Sequence, residues 1–230
     1  MKTIASIKLC VFFCFCFMMT SCGPLIFSAN FNADNVGSAP NPNPPGEPSG
    51  DEIKGNCGIT VVDNATIGSK SMRFYNEPNC SFKLMWFESD NVPSSNKFLN
   101  YSFLGTPEST NHKTFHISFS GGHFESAFDI KFKDGDLLLT DGAYNEHVIG
   151  TYTANEKQTF LVGINRETNE YALNIYKESG NINLQNRPVK SDTFWGKSAY
   201  LLYVYYDVDD TSNAAAGYVF DDVKINKEKE

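Results

Sequence analysis

The stretch Gln158–Tyr176, which reads QTFLVGINRETNEYALNIY, decides the fold. Apolar residues occupy every second position on both sides of the polar segment 165–170. These alternating residues are Phe160, Val162, Ile164, Tyr171, Leu173 and Ile175. A period of two places alternate side chains on one face of a strand. Two such strands with polar residues between them predict an antiparallel hairpin.

The same alternation continues on both sides of this hairpin, and no convincing amphipathic helix interrupts it. The other apolar runs are 59–62, 71–75, 82–87, 98–104, 115–119, 128–132, 137–139, 200–206 and 218–225. The run 200–206 is apolar at every position, which predicts a strand in the middle of a sheet. Aromatic residues, which favour strands, make up 14% of the chain. We therefore predict an all-β fold, a two-sheet antiparallel β-sandwich of the jelly-roll type.

Composition sets limits on the partners. Hydrophobic residues make up 41% of the 230 residues, which argues against disorder. The formal net charge is −8, and no run of Lys and Arg precedes the tail. Because phosphate binding needs a basic face, these features argue against nucleic acid as a partner.

The first 21 residues have the form of a lipoprotein signal peptide. Lys2 and Lys8 are followed by the apolar run Leu9–Met19, which is too short to cross a bilayer, where ~20 residues are needed. The run leads into Thr20-Ser21-Cys22, which resembles the bacterial lipobox. This resemblance implies cleavage before Cys22, lipid on its thiol, and a bacterial envelope protein held to a membrane, with the outer membrane expected. An ordinary secretory signal with a chance cysteine is the alternative.

Two cysteines remain for pairing in the mature chain. Cys10, Cys14 and Cys16 leave with the signal peptide. Cys57 and Cys80 are an even pair in an oxidising compartment, which predicts a disulfide. Two buried free thiols are the alternative.

We expect one domain over residues 22–230. The proline-rich segment 41–51 excludes a helix or a central strand and predicts a long loop or a polyproline stretch. About 20 residues separate Cys22 from this segment, too few to form a domain alone. They must pack onto the residues that follow.

Three segments resemble the concanavalin A-like lectin/glucanase (LamG-like) sandwiches. They are Phe31–Pro40, the hairpin Gln158–Tyr176 and the ending Tyr218–Ile225. The resemblance implies that the first and last strands lie side by side, and that carbohydrate is a ligand. Galactose-binding-like carbohydrate modules, which also end in a strand of this type, are the alternative fold.

No catalytic sequence motif typical of this fold is present. Glucanases place carboxylates on one strand in the pattern ExDxxE, whereas Glu125–Asp129 has another spacing and no third carboxylate. Alginate-lyase-like sandwiches carry QIH and YxKxGxYxQ strands, but the His116-Ile117 pair lacks the glutamine and segment 176–180 departs from the second string. The sequence therefore favours binding over catalysis.

The two tryptophans receive different predictions. Trp195 lies beside Gly196 in a loop before the run 200–206, where an exposed ring can stack on a sugar. A ring that caps the edge of the sandwich is the alternative. Trp86 is in phase with Phe82 and Leu84, which predicts a core position.

A cluster of acidic residues follows the run 200–206. Asp207, Asp209 and Asp210 offer oxygen ligands that suit calcium, although an ordinary polar turn is the alternative. Asp221-Asp222 is a second acidic candidate, and one of the two faces inward, where a buried carboxylate needs a partner. His112 and His116 would lie ~13 Å apart on a strand, too far for one metal, so we expect structural or exposed roles.

The leading hypothesis is an envelope-anchored lipoprotein with a non-catalytic, lectin-like sandwich that binds glycan. A divergent polysaccharide hydrolase or lyase is the second, and it requires a cleft with paired carboxylates or a Tyr/His pair. A structural envelope protein is the third, and its mark is an exposed apolar patch without a cleft.

Overall fold

A computed structural model describes residues 25–42, 51–80, 82–89, 97–120, 126–141, 143–190, 200–210 and 216–227. These residues form two antiparallel sheets and no helix. Within this part of the chain, no helix is long and apolar enough to cross a membrane. The predicted all-β, two-sheet sandwich is confirmed.

The first sheet has eight strands. Seven lie in the order β13 (Ile182–Pro188), β12 (Glu170–Tyr176), β11 (Gln158–Asn165), β6 (Phe98–Pro107), β15 (Gly217–Lys227), β4 (Ser69–Tyr75) and β3 (Ile59–Asn64). The eighth strand, β1 (Leu25–Ala29), pairs with the last half of β15.

The second sheet has seven strands. Their order is β10 (Glu146–Thr151), β9 (Asp136–Thr140), β8 (Phe128–Lys133), β7 (Phe115–Phe119), β14 (Tyr200–Tyr206), β5 (Leu84–Ser89) and β2 (Asp51–Gly55).

Three topological predictions are confirmed. Strands β11 and β12 form the hairpin, with Phe160 opposite Ile175. The first and last strands are neighbours, with Ala29 opposite Val223. Strand β14 is interior to its sheet, between β7 and β5.

Aromatic side chains fill the core between the sheets. Phe103 of the first sheet stacks on Phe160 at 4.5 Å between ring centroids, and Tyr171 stacks on Phe128 of the second sheet at 3.8 Å. Each fully buried side chain of this size contributes about 1.5–3 kcal/mol to folding.

The predicted core position of Trp86 is wrong. Met85 and Phe87 are fully buried in the core, and Trp86 lies half-buried on the opposite side of β5. Phe82, which shares its phase, is 54% exposed. Residues 84–87 are all apolar, so alternation alone does not say which side of the strand faces inward.

Cys57 and Cys80 form the predicted disulfide. Their Cα atoms are 6.5 Å apart, and the bond joins the chain before β3 to the chain after β4. Most of the proline-rich segment, Cys22 and Trp195 lie outside the described residues, so the predictions about them remain predictions.

Candidate functional site

The strongest candidate site is the side of the second sheet that faces away from the core, here called the outer face. Strand alternation creates it. On β7, Phe115, Ile117 and Phe119 point into the core, so His116 and Ser118 point to the other side.

Six residues cross the outer face in register, one from each of six neighbouring strands; we call them the first row. They are Trp86 (β5), Tyr203 (β14), Ser118 (β7), Asp129 (β8), Thr140 (β9) and Glu146 (β10). Strands lie ~4.8 Å apart, so this row is about 24 Å long.

A second row lies two residues further along each strand. It consists of Leu84, Tyr205, His116, Lys131, Leu138 and Val148. The two rows share one face, so their side chains are neighbours across and along the strands.

Aromatic rings form the β5–β7 side of the outer face. Tyr205 stacks on His116 with ring centroids 4.4 Å apart and planes 10° apart. Tyr203 lies 6.0 Å from Tyr205 with a 24° angle between the planes. Trp86 Nε1 donates a hydrogen bond to Glu88 Oε2 at 2.9 Å, which fixes the indole plane.

Asp129 holds a buried polar network beside these rings. Ser118 Oγ donates to Asp129 Oδ1 at 2.5 Å, and Lys190 forms an ion pair with Asp129 Oδ2. Lys190 Nζ also donates to Ser126 Oγ at 2.8 Å. A carboxylate buried to this degree, with 6% of Asp129 exposed, needs such partners to replace the hydrogen bonds that it has lost to water.

Two further lysines on the outer face are also paired. Lys131 Nζ lies 2.9 Å from Glu146 Oε1, and this hydrogen bond lowers the pKa of Glu146. Lys54 on β2 pairs with Glu52 and, at 3.0 Å, with Glu88. These pairs hold the polar groups of the face in fixed positions.

His116 and Tyr205 form the Tyr/His pair that a lyase would require. Burial lowers the pKa of His116, although Asp207, with Oδ1 3.4 Å from Nε2, raises it in part. Burial also raises the pKa of Tyr205. Both rings are therefore neutral at neutral pH. Because the His116 ring nitrogens are buried, neither is offered to a substrate as a base.

The acidic cluster after β14 does not come together as a metal site. Asp210 Oδ2 accepts hydrogen bonds from Thr114 N at 2.6 Å and Thr114 Oγ1 at 2.5 Å, and its Oδ1 accepts one from Asn76 Nδ2 at 3.1 Å. Asp207 faces His116 instead. Among the described residues no group of three His, Cys, Asp or Glu side chains is placed to hold a metal ion, so calcium at Asp207, Asp209 and Asp210 stays a prediction.

Asp221 is the buried member of its pair, with 4% exposed, but it lies opposite Leu104, on the side of β15 that faces away from the core residue Phe220. It accepts hydrogen bonds from Ser69 Oγ and from Asp222 N, the second at 2.8 Å. Burial raises the pKa of Asp221. Asp222 points outward and pairs with Lys224 at 2.6 Å.

Sequence reasoning missed the first row as a site. The one signal was the run 200–206, whose second apolar face had to meet something other than the core. Asp129 belongs to the segment Glu125–Asp129, which does not have the carboxylate spacing of the glucanases. Its partner Lys190 is 61 residues away in the chain.

No protein-family model and no curated protein matches the chain. Solved structures share its fold. A β-glucanase catalytic domain of glycoside hydrolase family 131 from Podospora anserina aligns with a TM-score of 0.62 and 10% identity, over 90% of this chain and 98% of that one. The family 131 catalytic domain from Coprinopsis cinerea aligns with a TM-score of 0.61 and 14% identity, over 89% and 94%.

A sialidase also aligns, with a TM-score of 0.56, 11% identity and 89% of this chain covered. This chain spans only 18% of that sialidase. At these identities the likeness establishes the jelly-roll β-sandwich fold alone.

Proposed function

We propose that this protein is a lipid-anchored envelope protein that binds glycan on the outer face of its second sheet without cutting it. The observation that carries the proposal is the first row. It places Trp86 and Tyr203 directly beside Ser118 and Asp129 in one cross-strand line.

The chemistry of the first row matches that of a sugar. The half-buried indole of Trp86 can stack on the apolar C–H face of a pyranose ring, whereas only 9% of Tyr203 is exposed. Ser118 is fully buried and Asp129 is 6% exposed, so these two hold the row in place from below. The Thr140 hydroxyl and the exposed Glu146 carboxylate are the groups that can bind sugar hydroxyls, and polar groups already held in place lose little entropy on binding. The most accessible members of the row lie towards its two ends, with Trp86 and Glu146 about 24 Å apart, a distance that several sugar units in a chain span.

The anchor is proposed from residues 1–22, where a short apolar run ends at a lipobox-like cysteine. The ligand class to test first comes from the structural neighbours. One of them is named a β-glucanase catalytic domain, so β-glucans are the first glycans to include.

The test is a glycan array with the protein starting at residue 23, in wild-type form and as Trp86→Ala. Truncating a central aromatic contact costs more than about 1 kcal/mol, and ~1.4 kcal/mol is tenfold in affinity, so we expect roughly tenfold weaker binding. Tyr176→Ala is the matched control, because Tyr176 is a half-buried aromatic residue on the outward side of the other sheet.

Two further experiments test the predictions for Trp195 and for calcium. Trp195→Ala tests whether this loop residue shares the site, and arrays with and without calcium test the acidic turn. Wild-type protein that binds no glycan under either condition would contradict the proposed function.

Catalysis is the second candidate: His116 and Tyr205 lie together on the outer face, although the buried His116 ring nitrogens argue against a role as a base. Incubation of the protein with its bound glycan, followed by assays for new reducing ends and unsaturated products, separates the two functions. Non-catalytic binding predicts no product. Product that disappears in His116→Gln would establish an enzyme instead.

A further inference from the structure

The predicted lipid attachment site lies close to one end of the sandwich. Strand β1 begins at Leu25, three residues after Cys22. Three residues span at most about 11 Å, whatever their conformation. Leu25 pairs with Asn226, near the end of β15. The lipid is therefore tied to the end of the first sheet where β1 starts and β15 finishes, here called the anchor end.

Strands of the second sheet also begin or end at the anchor end. Ser89 Oγ at the end of β5 donates a hydrogen bond to the Ile26 carbonyl at 3.1 Å. Strand β14 begins there as well, because Tyr200 pairs with Glu88. Both sheets therefore present strand ends at the anchor end.

The opposite end, here called the distal end, is also shared by both sheets. Asn76, just after β4 of the first sheet, donates to Asp210, which follows β14 of the second. Gly217, where β15 begins, lies at this end, and its carbonyl accepts from Glu108 N at 2.9 Å. The eleven residues of β15 separate the two ends by roughly 33 Å.

Acidic groups gather at the distal end. Asp134 lies there, since its N–H bonds to the His112 carbonyl at 2.7 Å, but it forms an ion pair with Lys113. The acidic character therefore comes from Asp207, Asp209 and Asp210, which follow β14. Such carboxylates are repelled by the anionic surface of a bacterial membrane. Their position favours an orientation in which this end points away from lipid.

We infer that the anchor end rests against the bilayer and the strands run along the membrane normal, with the acidic distal end outward. This inference rests on the proposed lipid at Cys22. It also fixes the direction of the glycan. Both rows cross the strands, so a ligand on them lies parallel to the membrane. The first row is three residues from Tyr200, about 10 Å above the anchor end.

The test uses the full chain, lipidated in cells and reconstituted in vesicles of phosphatidylethanolamine and phosphatidylglycerol that carry a nitroxide on some headgroups. A fluorophore is attached at Glu167→Cys, in the β11–β12 turn at the anchor end, or at Val208→Cys at the distal end. Both positions are open, with 60% of the Glu167 side chain and 78% of Val208 exposed. The introduced thiol is unique, because Cys57 and Cys80 are joined and lipid occupies Cys22.

We expect strong quenching at position 167 and several-fold weaker quenching at position 208. Equal quenching at the two positions, or stronger quenching at 208, overturns the orientation. Mass spectrometry of the same sample reports the acyl groups on Cys22, so a missing anchor is recognised as a failure of the proposed lipoprotein. The protein starting at residue 23, with each label, is the unanchored control and should show no quenching at either position.

Discussion

At the scale of single residues, Asp129, a member of the first row, and Lys190 join two distant parts of the chain. Their side chains are about one-tenth exposed, so both charges have lost most of their water. The ion pair and the Ser118 and Ser126 hydroxyls replace that hydration. The pair therefore fixes both the polar centre of the outer face and the chain that leads from β13 towards β14.

We predict that Asp129→Asn lowers the free energy of unfolding by about 3–5 kcal/mol, because it leaves the Lys190 ammonium buried and unpaired. Urea unfolding measures this change. The double variant Asp129→Asn/Lys190→Met should recover part of the loss. A single variant as stable as the wild type would show that the pair is not buried in solution.

A second prediction concerns His112, which is fully buried among Phe115, Phe132, Tyr152 and Tyr206. Burial lowers the pKa of His112 to about 4. The unfolded chain, with a histidine pKa near 6.5, binds the proton more tightly, so the contribution to stability is present above pH 6.5 and lost as the pH falls towards 4.

The shift corresponds to about 3 kcal/mol of stability lost across this range. Urea unfolding at several pH values, compared between wild type and His112→Leu, isolates the effect from the carboxylates that titrate in both proteins. We expect a shallower pH dependence in the variant below pH 6.5. Parallel curves for the two proteins would rule out a neutral buried His112.

At the scale of elements, the side that faces the core was predictable for strands with one apolar face and not for strands with two. The β11–β12 hairpin has polar residues at its turn and a clear period of two, so its pairing follows from local sequence. Strand β5 is apolar at four successive positions, so its inward side is set by contacts with β14 and β2, which lie far away in the chain. The first row depends on five pairings, and two of them, β5 with β14 and β14 with β7, join strands far apart in the chain. For this reason the candidate site was not visible in the sequence.

The disulfide acts at this scale, because it closes the β3–β4 hairpin. In the chain-entropy model a loop of about 24 residues stabilises the fold by about 3 kcal/mol. We predict that Cys57→Ala/Cys80→Ala loses about this much, measured by urea unfolding without reductant. Thiol labelling of the unfolded wild-type protein should find no free cysteine. Two reactive thiols at these positions would contradict the bond.

At the scale of the whole molecule, the all-β architecture and the neighbouring first and last strands follow from alternation and from the resemblance of the two chain ends to one family. Function does not follow in the same way, because one sandwich fold hosts both binding and catalysis. The proposed anchor and the proposed glycan site on the outer face would together hold a glycan close to the membrane.

Lipidation is the prediction that concerns the mature chain as a whole. Mass spectrometry of the membrane fraction should find an N-terminus at Cys22 that carries acyl chains, and Cys22→Ala should release the protein or leave the precursor uncleaved. A wild-type protein that is soluble and starts at another residue would contradict the anchor.

The most direct test of glycan binding on the outer face is NMR observation of the indole Nε1–H groups. The chain has two tryptophans, so two such signals are expected, and Trp86→Phe assigns them. The wild-type protein is titrated to saturation with the glycan that binds best on the array. Our account predicts that the Trp86 signal shifts with ligand concentration. Saturation that leaves the Trp86 signal unchanged would place the glycan elsewhere and contradict the account.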